Sequence, residues 1–92
     1  MTTNYSALGE YTAYSRQAKD AASRRYALLH NLSFFLGRLS EQPEEAVDTA
    51  RIAADTEEIA KADREMRAAL ERANQAAALA GEVPMHIRQL AR

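Results

Sequence analysis

The stretch 24-RRYALLHNLSFFLGRL-39 is the densest apolar run of this chain. Taken as a helix that turns by about 100° per residue, it gathers Leu28, Leu29, Leu32, Phe35, Leu36 and Leu39 on one face. Arg25 falls inside that face, whereas Phe34 points from the opposite one. What could cover so dense a face, and what an arginine does within it, decides how the rest of the chain must fold.

Working outward, neither glycine nor proline occurs between Gly9 and Gly37, so the spacing predicts a first helix over about residues 5–39, frayed before Glu10. The segment 40-SEQPEE-45 then reads as a stop followed by a start. Pro43 suits a first helical turn, and Glu44 and Glu45 complement its positive end, which places a turn at 40–43 and a second helix from about 43. Good helix formers continue to Ala80, and Gly81 suits the left-handed residue that closes a helix. Pro84 opens a short third helix over about 84–91. An alternative break lies at Asp55, where Asp55 and Glu58 match a capping box. The expectation is therefore all-α, one helical domain over residues 1–92 built as a long antiparallel hairpin with a short C-terminal helix. Acid–base pairs at helical spacing, Asp20 with Arg24, Glu57 with Lys61 and Asp63 with Arg67, support it.

Composition limits the core. The apolar fraction is 47%, but 20 residues are alanine and only 19 are Leu, Ile, Val, Met or Phe. Burying one of the larger side chains yields about 1.5–3 kcal/mol, against roughly 1–2 kcal/mol of backbone entropy per ordered residue. An isolated chain of this kind is only marginally stable. The second helix repeats Ile52, Ile59, Met66, Ala73 and Ala80 at heptad spacing, with Thr56 and Asp63 interrupting the seam. Such an alanine-lined helix cannot cover the leucine face of the first.

A second copy of the chain can, and a homodimeric four-helix bundle is the expected assembly. Its interface would use Tyr14 and Arg25 together with Leu28, Leu29, Leu32, Phe35, Leu36 and Leu39. Arg25 would either stretch its stem out to water or meet an acid of the second helix, Asp63 or Glu57. Phe34 would be a single exposed aromatic, a contact for Met85, Ile87 and Leu90, or the centre of a partner-protein surface with Arg16, Arg24, Asn31 and Arg38.

Catalytic chemistry has little to stand on. His30 and His86 are solitary, no Glu-x-x-His pair occurs, the three glycines stand apart, and there is no cysteine. No catalytic residue, cofactor or metal is expected, and the chain reads as a non-enzymatic binding protein. Net charge is −1, split between a basic first 40 residues and an acidic remainder. The alternative is nucleic-acid binding through the basic face of the first helix, which an acidic second helix and a pI near 6.1 oppose. The opening MTTNYSALGEY has no secretory pattern and no apolar run is long enough to span a bilayer, which points to a cytoplasmic protein without membrane contact. Ten arginines against two lysines, with abundant alanine, suggest a bacterial or phage genome. The expected role is an adaptor, an inhibitor or an accessory factor.

Overall fold

The computed structural model describes residues 4–91, and these form two long helices that pack on each other, followed by a single 3-10 turn. Helix α1 runs Tyr5–Glu41, α2 runs Thr49–Ala80, and the turn covers Ile87–Leu90. Contacts fall in reverse order along the chain, Tyr14 with Arg72, Arg24 with Glu65, Arg25 with Asp63 and Phe35 with Arg51, so α1 and α2 are antiparallel. The molecule measures 68 × 21 × 13 Å, with a radius of gyration of 18.0 Å, whereas a compact chain of this length would have about 12 Å. It is a rod in which each helix has one long neighbour.

Local chemistry sets the helix ends. The Asn4 side chain accepts a hydrogen bond from the Ala7 amide at 3.0 Å, so α1 is already helical at Tyr5 without fraying before Glu10. Helix two does not begin at Pro43. Instead Pro43 and Glu44 form the middle of a turn closed by the Glu45 amide on the Gln42 carbonyl at 3.0 Å, and α2 starts at Thr49. Proline's fixed φ serves the second position of such a turn as well as a first helical turn. Asp48 breaks the tie, because its carboxylate accepts from the Arg51 amide at 3.0 Å and caps the helix. No break occurs at Asp55.

From the middle of the rod to the end where α1 starts, the helices meet through alanines, with Ala18, Ala62, Ala73, Ala76 and Ala77 almost wholly buried. At the loop end the buried pair is Leu32 and Phe35, and the Arg51 guanidinium lies 3.8 Å from the Phe35 ring centroid as its lid. Gly81 takes φ +75° and terminates α2, with the Glu82 amide reaching back to the Ala77 carbonyl at 2.9 Å. The chain then reverses along the hairpin. Asn74 holds it by accepting from the Met85 amide at 2.7 Å and donating to the Met85 carbonyl at 2.8 Å.

The expected C-terminal helix over 84–91 is thus only the 3-10 turn Ile87–Leu90, capped by the side chains of His86 and Gln89. So short a segment cannot repay the nucleation of an α-helix. Its stability comes from Leu90, buried among Ala18, Ala21, Ala22, Met66 and Ala69.

Gly9 lies within α1, and a Cβ built there would meet nothing within 4 Å. Gly9→Ala is therefore expected to stabilise the chain by about 0.5–1 kcal/mol. A higher urea midpoint at unchanged slope would show it; a lower midpoint would mean that the position carries a contact outside the hairpin.

Candidate interaction surface

Arg25 resolves its conflict with the apolar face by reaching α2, where its Nε donates to Asp63 Oδ1 at 2.9 Å. Arg67 Nε donates to the other oxygen, Oδ2, also at 2.9 Å. One carboxylate thereby holds two guanidinium groups, one from each helix. The hydrogen bond from Arg67, aided by the positive charge of both arginines, holds the Asp63 carboxyl below its ordinary value against a smaller opposing effect of burial.

A carboxylate whose folded pKa is depressed stabilises the fold above the unfolded value, near pH 4, and loses that contribution as pH falls through the folded value. Asp63→Asn should accordingly lower the melting temperature at pH 7, and the gap to the parent chain should narrow below about pH 4. Thermal melts from pH 7 to pH 3 test this. A gap as wide at pH 3 as at pH 7 would assign the loss to packing instead of charge.

The C-terminal segment divides one stripe of α1 into two halves. Tyr11, Ser15, Ala18, Ala22, Leu29, Ser33, Leu36 and Ser40 recur every three, four or seven residues and share a face. Residues 83–90 lie over its first half, where Ser15, Ala18 and Ala22 are buried. Among the described residues, none of 83–90 reaches over its second half, where Leu29 is 39% and Leu36 41% exposed. An open groove of 740 Å³ starts at this point, with Arg25, Tyr26, His30, Arg67 and Arg88 on its walls. The rings of Tyr26 and His30 stack there, 5.9 Å apart and 7° from parallel. No aspartate or glutamate lines it.

The residues expected at an oligomer interface separate accordingly. Leu32 and Phe35 are buried by the chain's own α2, Leu28 and Leu39 are half-buried, and only Leu29 and Leu36 present substantial apolar area to solvent. Tyr14 is occupied within the chain, its hydroxyl accepting from Arg72 at 3.1 Å with the guanidinium 5.6 Å from the ring centroid. Arg25 is engaged with Asp63 as described.

The partner patch separates as well. Phe34 is 75% exposed and the turn Ile87–Leu90 packs elsewhere, so Met85, Ile87 and Leu90 do not cover it. Asn31 and Arg38 are exposed on nearby turns, and Arg38 lies 5.7 Å from the Phe35 ring centroid. Arg24 pairs with Glu65 in place of Asp20, and Glu57 pairs with Arg64 in place of Lys61. Arg16 lies about 27 Å along the helix from Phe34, at ~1.5 Å per residue, too far to share one contact. What remains together is Asn31, Phe34 and Arg38.

Two features escaped sequence analysis. Residues 26–37 contain no Asp, Glu, Lys or Arg, so even the solvent side of three helical turns is uncharged, a signal visible in the sequence once looked for. The second is the Asn74 clamp on Met85, which only the reversal at Gly81 brings about. Among the described residues, no three His, Asp or Glu side chains gather as metal ligands, and no helix is long and apolar enough to cross a membrane. No protein-family model, curated protein or solved structure matches this chain.

Proposed function

We propose that this chain is a non-enzymatic, cytoplasmic helical hairpin that self-associates, most simply as a homodimer, and in that form binds a partner protein as an adaptor, inhibitor or accessory factor. The observation that carries it is the uncovered half of the α1 stripe, where Leu29 and Leu36 stand in solvent on a helix without charge from 26 to 37. Phe34, Asn31 and Arg38 lie on the far side of α1 from that stripe and supply an aromatic and an arginine of the kind enriched at binding hot spots. Nucleic-acid binding has less support in this arrangement, because Arg24 of the basic face is already paired with Glu65.

Sedimentation velocity at micromolar concentrations tests the first half: the parent chain should sediment as a dimer and the Leu29→Glu/Leu36→Glu chain as a folded monomer. Both positions are exposed, so helicity should survive the double substitution. For the second half, proteins retained by the immobilised parent chain should be lost with Phe34→Ser/Arg38→Ala. Equal retention by both chains would remove this patch from the proposal.

A further inference from the structure

We infer that the uncovered half of the α1 stripe is covered by the same segment of a second copy, laid antiparallel about a two-fold axis near Ser33. In this arrangement the acidic turn of each copy meets the arginine-bearing end of the other's groove. The inference rests on the self-association proposed above and specifies its geometry.

Three observations select this occupant and this direction. First, charge is distributed unevenly along the rod. Residues 41–48 carry Glu41, Glu44, Glu45 and Asp48 with no basic residue. At the groove, Arg25 and Arg67 share the single carboxylate of Asp63, and Arg88, on the same groove wall, has no ion-pair partner among the described residues. Parallel pairing would set one acidic turn on the other. Antiparallel pairing brings each acidic turn to an arginine cluster, and the uncharged 26–37 segments then face each other.

Second, the midpoint between Arg25 and Glu41 is Ser33, which lies on the exposed stripe. An axis there places Tyr26 opposite Ser40 and Leu29 opposite Gly37 of the second copy, so these two large side chains each meet a small one, while Leu36 meets the ring of His30. Third, Gly37 sits within α1, where glycine costs helix stability. Its φ is not positive, and a Cβ there would meet nothing of its own chain within 4 Å. The bare backbone meets no requirement of the hairpin, but it lets a second helix approach closely. The second copy thereby extends the third layer that residues 83–90 begin.

The chain has no cysteine, so an introduced one reports position without interference. Under mild oxidation Ser33→Cys should form a disulfide-linked dimer, because a residue on the axis meets its own copy within disulfide reach. Ala27→Cys, exposed on the far side of α1, should not. Tyr26→Cys mixed with Ser40→Cys should give the heterodisulfide in excess of either homodimer. Arg88→Glu should weaken the dimer about fivefold, as should Glu44→Arg, and the two together in one chain should restore it.

A dimer by sedimentation in which Ser33→Cys fails to link, or Ala27→Cys links equally well, would overturn the register while leaving self-association standing. A chain that stays monomeric at about 100 µM, well above what a specific weak dimer requires, would overturn both.

Discussion

Phe35→Ala is expected to cost about 3–5 kcal/mol, enough to leave the loop end of the hairpin open at room temperature. At that end only Leu32 and Phe35 are buried, and no third layer lies over them. Removing the ring takes away the largest buried apolar surface of the region. It also leaves the guanidinium of Arg51, 3.8 Å from the ring centroid, without its platform. Leu28 and Leu39, each half-buried on the same face, could move into the gap only by giving up cover of their own. Urea denaturation followed by helical circular dichroism should show a lower midpoint. The companion Arg51→Ala should cost only about 0.5–1 kcal/mol. Equal losses for the two would mean that the cation, not the packed ring, holds the loop end together.

Met66→Ala is the second large effect, at about 2–5 kcal/mol. Met66 lies where α1, α2 and the C-terminal turn converge, flanked by the half-buried Leu70, Met85 and Ile87, and its buried neighbours there are Ala18, Ala21, Ala22, Ala69 and Leu90. Four of those five are alanines. An alanine has no rotamer with which to fill a hole, so the cavity would persist and the cost should lie in the upper part of the range. The neighbours able to shift include Leu90, Met85 and Ile87, and their movement would loosen the segment that Asn74 clamps at Met85. Hydrogen exchange at the Met85 amide should therefore accelerate in Met66→Ala. If exchange there stayed at the parent rate while global stability fell, the C-terminal segment would be held by Asn74 alone.

Both predictions depend on the thinness of the rod. With little more than one helix-to-helix seam to draw on, a single aromatic or a single methionine carries a large share of the stability. The same thinness motivates the proposed dimer, because a stripe that is only half covered by residues 83–90 leaves Leu29 and Leu36 in water.

The sequence by itself determined what acts over one helical turn. Two long helices, their antiparallel return, the stop at Gly81 and the pairing of Asp63 with Arg67 all follow from propensity, capping and spacing within about four residues. It also contained the uncharged segment 26–37, since a missing charge needs no coordinates to be seen. Only the tertiary structure decided between roles that are locally equivalent. Pro43 suits a turn or a helix start equally well, and the carboxylate of Asp48 chose the turn. Arg25 could have gone to water, Glu57 or Asp63, and the stagger of the two helices chose Asp63. Residues 84–91 could have formed a free helix, but burial of Leu90 against the hairpin outweighed the small stability of so short a helix. Which half of the α1 stripe residues 83–90 cover was settled by the reversal at Gly81 and the clamp of Asn74 on Met85. Such outcomes depend on contacts between residues tens of positions apart, whose free energies no local pattern contains.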